Sequence, residues 1–160
     1  MLAKKYEMRL NENRLPYLAA VGKTKITDSE SHAEPGKIAD IIRRVYHAER
    51  LPEEHVYLLA FDTKMHLIGL FELSHGTSRE SALSPEQVLQ RLFLSGASRF
   101  CIVHNHPSGD VSPSEADNQI TKRIAEAARI CGVEFCDHII LAGAHKNTFF
   151  SYRENSDLLI

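Results

Sequence analysis

The chain has 160 residues, 43% hydrophobic and 25% charged, with a formal net charge of -2 at pH 7. That length and balance suit one globular domain with a real core and exclude a global field that draws in nucleic acid, and no apolar run is long enough to span a bilayer. Three cysteines cannot all pair, and Met1 to Glu7 lacks the apolar stretch of a signal peptide, so a cytoplasmic setting with reduced thiols is expected.

Met1 to about Glu34 is polar and weakly patterned, and residues 1–35 read as a loosely packed N-terminal arm and linker ahead of a domain over 36–160. Within the arm, Leu15 to Val21 is compatible with a strand or an edge segment. From Lys37 to Glu49, Ile38, Ile41, Ile42, Val45 and Tyr46 recur at helical spacing, and Leu51-Pro52 ends the helix. His55 to Phe61 and His66 to Leu73 read as a hairpin across Asp62-Thr63-Lys64. Ser84-Pro85-Glu86-Gln87 has the grammar of a helix start, and the helix to Ser95 turns Val88, Leu92 and Leu94 inward. Phe100 to His104 is a buried strand. A helix from Pro113 to Cys131 follows, capped by Ser112, with Pro113 at its first position, Glu115 closing a capping box and Gly132 at its end. Ile120, Ile124, Ala127 and Ala128 form its inward face. Val133 to Leu141 and Thr148 to Tyr152 are two closing strands. Hairpins and crossovers alternate, which predicts an α/β sandwich around a mixed β-sheet.

The chemistry lies between His104 and Asp117. Residues two apart on a strand point the same way, so His104 and His106 offer two imidazoles on one side and Asn105 faces the other. Pro107-Ser108-Gly109-Asp110 turns the chain, and a helix packed back over the strand end brings Asp117 to the pair. Two neutral nitrogens and one carboxylate suit Zn²⁺, one ion per chain, with the fourth tetrahedral position left for water. Taken singly, these residues have ordinary explanations: a histidine fills a core, Ser114 is a helix-start hydroxyl, and Asp117 complements a helix dipole. Their joint placement favours the metal. A second site at Cys131 and Cys136 lacks the CxxC spacing that would recommend it. Arg43-Arg44 and Lys122-Arg123 read as solvated helix faces.

A zinc hydrolase also needs a group to take the proton from water. Glu53 and Glu54 both stand at the head of the first core strand, and alternation allows only one of them to face the site.

The spacing resembles the RadC-like branch of the JAB/JAMM (MPN) metalloprotease family, over roughly Pro35 to Arg153. That family carries a Glu, then His-x-His, seven residues, Ser, two residues and Asp, which His104, His106, Ser114 and Asp117 match in full. The run from His104 to Asp110, Asp137-His138-Ile139-Ile140, and Gly76-Thr77 ahead of the Ser84-Pro85 helix look specifically RadC-like. The resemblance implies a JAB/MPN-like (cytidine-deaminase-like) α-β-α sandwich. It also implies His104, His106 and Asp117 as zinc ligands, Glu54 rather than Glu53 as general base, and Ser114 as a hydrogen-bonding aid to the oxyanion. Longer RadC proteins carry an N-terminal helix-hairpin-helix region, whose glycine-containing hairpin the arm here lacks.

The expected function is therefore a zinc-dependent metallopeptidase or isopeptidase acting on a peptide or protein. The alternative is a DNA-repair or mobile-element accessory protein of the RadC type, against which the acidic balance counts for direct, tight DNA binding. A two-metal phosphoesterase would need an extra carboxylate, for which Asp110 is the nearest to hand. His138 reads as a buried, hydrogen-bonded structural histidine. His55 should point away from whatever Glu54 faces, and His75 could line the cleft. No motif names a substrate.

Overall fold

A computed structural model describes residues 2–26, 34–76, 83–143 and 148–159. Its elements in chain order are β1 (Leu2–Leu10), β2 (Pro16–Lys25), α1 (Pro35–Tyr46), β3 (Glu54–Phe61), β4 (Leu67–Gly76), α2 (Pro85–Ser95), β5 (Arg99–Asn105), α3 (Glu115–Cys131), β6 (Glu134–Leu141), β7 (Phe149–Ser151) and the short α4 (Tyr152–Asn155). The strands make one mixed sheet in the order β2-β1-β4-β3-β5-β6-β7. Pairing is parallel for β1 with β4 and for β5 with β6, and antiparallel elsewhere. None of the helices in the described residues is long and apolar enough to cross a membrane.

Alternation along the central strands builds two apolar layers. Tyr57, Leu59 and Phe61 of β3, with Cys101 and Val103 of β5, pack against Ile38, Ile41 and Ile42 of α1. Val56, Leu58 and Ala60 of β3, with Phe100 and Ile102 of β5, pack against Val88 and Leu92 of α2 and Ile124 and Ala128 of α3. The sheet is thus sandwiched between helices, as the sequence predicts. The same parity continues past the apolar residues: Glu54 follows Val56, and His104 follows Ile102, onto the α3 face.

Four local expectations change. Residues expected as a loose arm form β1 and β2, a hairpin whose Asn11 side chain accepts hydrogen bonds from the Asn13 and Leu15 N–H groups in the turn. β1 then docks in parallel on β4, and a Cβ built at Gly69 would lie 2.6 Å from the Tyr6 ring. Only a glycine lets that ring settle there, stacked on Phe71 at 5.6 Å. The first helix stops at Tyr46 rather than Glu49, because His47 turns left-handed (φ 52°) and a 3-10 turn, Ala48–Arg50, follows. On α2, Val88 and Leu92 are buried but Leu94 is 43% exposed, since it falls two residues beyond Leu92 on the helix.

The fourth change matters most for the site. The long helix starts at Glu115, not Pro113, and its N-cap is Ser114 rather than Ser112. Ser112-x-x-Glu115 and Ser114-x-x-Asp117 share one capping grammar. The Ser112 N–H is already given to Asp110 Oδ1 (2.8 Å), which holds residues 110–112 in a turn. The box therefore closes at Ser114 and Asp117, and Asp117 rather than Glu115 becomes its acidic member.

Candidate metal centre

The site forms where β5 ends and α3 begins. Apolar burial carries β5 through Val103 and leaves His104 and Asn105 buried at the strand end. The His106 N–H donates to the Leu141 carbonyl (2.7 Å), which extends the β5–β6 pairing one residue past the strand and keeps His106 on the side of His104. On α3 the Ser114 hydroxyl donates to Asp117 Oδ2 (2.6 Å), the Ser114 N–H donates to the same oxygen (2.8 Å), and the Asp117 N–H donates to Ser114 Oγ (3.1 Å). This capping box fixes the Asp117 carboxylate with its oxygens 3.3 Å from His104 Nε2 and 3.4 Å from His106 Nε2.

The two imidazoles meet at Nε2···Nε2 3.0 Å. His106 Nδ1 is 2.8 Å from the Asp110 carbonyl, which can only accept, so Nδ1 carries the proton and Nε2 of the neutral ring is a bare lone pair. The three side chains thus bring ligand atoms within 4.8 Å of one another, and they form the group among the described residues that could hold a metal ion. Two imidazole nitrogens facing each other beside a carboxylate fit a cation better than they fit each other.

The electrostatics agree. Burial works against a charged Asp117, yet the adjoining His104 and His106 imidazoles and the Ser114 hydroxyl hold its carboxyl well below the usual carboxylate range. His106 is opposed by burial as well, but hydrogen bonding to Asp117 and to the Asp110 carbonyl raises its pKa overall. An anion and a proton-hungry imidazole side by side mark a place where positive charge is wanted.

Behind His104 lies His138, 1% exposed, with Nε2 2.8 Å from His104 Nδ1 and Nδ1 2.6 Å from Thr121 Oγ1. Burial, aided by the neighbouring His104, pushes the His138 pKa well down, so the ring is neutral. The expected buried histidine is found, and its contact with a metal-site residue is what the sequence could not show. Thr121 comes from α3, one turn beyond Asp117, and only the packed helix brings it to His138.

Glu54 enters from β3. It lines, with Val56, Leu83, His104, His106, Asp117 and other residues of α3, a cleft of about 560 Å³. Glu53 is not among the lining residues. β3 is held there by Asn105, which is 2% exposed: its side-chain amide donates to the Glu53 carbonyl (2.9 Å) and its oxygen accepts from the His55 N–H (2.7 Å). One side chain at the end of β5 thus grips the backbone on both sides of Glu54. Sequence reasoning places Asn105 on the opposite face from the histidines and assigns it nothing. Its signal was a buried amide at a strand end, a residue type that needs several partners.

The remaining candidates fall outside the ligand set. His55 Nδ1 lies 2.7 Å from Glu72 Oε1. Asp110 lines the cleft and offers its backbone carbonyl to His106. Cys131 is exposed while Cys136 is buried, and both are free. The side chain of His75 lies outside the described residues, as does Thr77.

A family model described as RadC-like JAB domain matches residues 32–157. Similar curated proteins include a UPF0758 protein of Thermotoga maritima, 40% identical over 108 residues, which covers 68% of this chain and 47% of that protein. A UPF0758 protein of Finegoldia magna is 35% identical over 118 residues, 74% of this chain and 52% of that protein. One of Alkaliphilus metalliredigens is 31% identical over 158 residues, 89% of this chain and 67% of that protein. The chain spans about half the length of the first two of these relatives.

Proposed function

We propose that this chain, which belongs to the RadC-like JAB domain family, is a zinc-dependent hydrolase that cuts peptide or isopeptide bonds. The observation that carries the reading is the convergence of His104 Nε2, His106 Nε2 and the Asp117 carboxylate in a cleft that Glu54 also lines. Zinc held by three protein ligands keeps an open position, lowers the pKa of a bound water to about 7 and polarises a carbonyl.

The chain's own residues supply the rest. Glu54 is the acceptor and later donor of the water proton, on the face of β3 that parity turns toward the histidines. Asn105 holds the backbone around Glu54 against β5, so base and ligands keep one geometry. Ser114 orients Asp117 through its capping bonds and lines the cleft, where its hydroxyl would serve a developing oxyanion once that bond is exchanged. The cleft is also lined by Val56, Leu83, Ile120 and Arg123. That lining suits a substrate that carries both apolar and anionic groups.

The test is a metal analysis joined to a hydrolysis screen on a peptide library of mixed sequence, including isopeptide-linked members. The wild-type protein should hold one zinc per chain and cleave a subset of the library. Glu54→Gln should keep the zinc and lose turnover by on the order of 10²–10⁴, while Glu53→Gln stays active. A protein that takes up no divalent metal, or a Glu54→Gln variant as active as wild type, would overturn the reading.

A further inference from the structure

We propose that His138 and Thr121 are positioning residues of the metal centre, holding the His104 ring in the tautomer whose Nε2 lone pair faces His106 and Asp117. The inference rests on the metal reading above and deepens it.

Three contacts in a row fix where the protons sit. The Asp117 backbone carbonyl lies 2.6 Å from Thr121 Oγ1, Thr121 Oγ1 lies 2.6 Å from His138 Nδ1, and His138 Nε2 lies 2.8 Å from His104 Nδ1. Each contact is short enough to require one proton between its two atoms. A carbonyl can only accept, so the hydroxyl proton of Thr121 goes to Asp117. Thr121 Oγ1 is then an acceptor, and the proton of the His138 ring must sit on Nδ1. His138 Nε2 is left bare and accepts the proton on His104 Nδ1. With its proton spent there, the neutral His104 ring has a bare Nε2, the form that can ligate a metal.

This arrangement leaves the Nε2 atoms of His104 and His106 facing each other at 3.0 Å with no proton between them, which is the opening for a cation. The reverse arrangement fails away from that opening, at Thr121. If Thr121 donated to His138 and His138 to His104, His104 would carry its proton on Nε2, against the site. Thr121 Oγ1 and the Asp117 carbonyl would then face each other at 2.6 Å with no proton between them. Asp117 thus serves twice: its carboxylate faces the histidines, and its carbonyl selects the tautomer of one of them. A core-filling role does not account for this pattern. His138 already stacks on Tyr152 at 5.1 Å, which an apolar ring would do as well without needing a polar partner at each nitrogen.

Two measurements test the proposal. The first uses the metal-free wild-type protein and needs no substitution: nitrogen-detected NMR of the imidazole rings at a pH where they are neutral. His104 and His138 should both be protonated at Nδ1, and a His104 ring protonated at Nε2 overturns the proposal. The second is zinc affinity by competition with a chelator. Thr121→Val keeps the shape and removes the hydroxyl, and it should bind zinc about 10- to 100-fold more weakly. Thr121→Ser should recover to within a few-fold of wild type. Equal affinity of Thr121→Val and wild type overturns the positioning role and leaves the metal site standing, whereas a wild-type protein that binds no divalent metal removes the metal reading itself. If Thr121→Val does not fold, the NMR result decides.

Discussion

The centre of the sheet and its β2 edge treat their side chains in opposite ways. At the centre, β5 and β6 bury Asn105, His104, Asp137 and His138, and each has a directed partner: Glu53 and His55, His138, Ser151 and Thr121 in turn. At the edge, the β1–β2 ribbon leaves Leu2, Leu10, Leu15, Tyr17 and Val21 in contact with solvent. A buried polar atom without a partner costs about 1–3 kcal/mol, so the central network tolerates few arrangements. A solitary exposed leucine costs little and constrains little. The informative residues here are the polar ones inside, and the two regions should respond to substitution separately.

The strongest break of that contrast is at the ligands. His106→Ala should release most of the zinc, a loss at least as large as the roughly 10- to 100-fold that follows when a partner of a ligating histidine is removed, while circular dichroism keeps the folded spectrum. Full zinc occupancy in His106→Ala would put the metal elsewhere. Next, Gly69→Ala drives a methyl group into the Tyr6 ring and should loosen the seam between β1 and β4 by about 1–3 kcal/mol in denaturant unfolding. Zinc affinity should not change, and a parallel fall in both would show that ribbon and centre are one unit energetically.

Ser114→Ala should cost about 1 kcal/mol of stability through loss of the N-cap. Thermal midpoint and rate constant measured on one sample separate this from an oxyanion role, which would lower the rate with the midpoint held. The smallest effect belongs to the edge. Leu15→Ser should move stability by no more than about 0.5 kcal/mol and leave metal uptake alone, as a surface position does. A large loss of either would mean the exposed ribbon is doing more than completing the sheet.

Much of this was readable from the residues. His104 and His106 announce themselves because a strand has period two, and the apolar run before them says which strand. Asp117 is readable because a capped helix must follow the Pro107 to Asp110 turn. The helix starts two residues later than expected because Ser112 and Ser114 obey the same rule, and only the capture of the Ser112 N–H by Asp110 decides between them. β1 is illegible as sheet because its burial does not alternate cleanly, whereas Leu15 to Val21, most of it within β2, is readable as a strand or an edge segment; β1 meets β4 where Tyr6 closely approaches Gly69. Thr121 carries no signal at all in sequence. Its role arises from the packing of α3 on β6, a contact between distant segments that no local pattern encodes.

The three candidate ligands occupy one short run of chain, from His104 to Asp117, while Glu54 stands on a strand held to β5 by long-range pairing. Closing the short run costs less entropy than closing the long one. The candidate metal group is thus local in the chain, built from a strand end, a turn and the first turn of a helix, whereas Glu54 joins it only through sheet pairing. On the proposed reading, the residues that would hold the ion and the residue that would move the water proton thus depend on chain contacts of very different length.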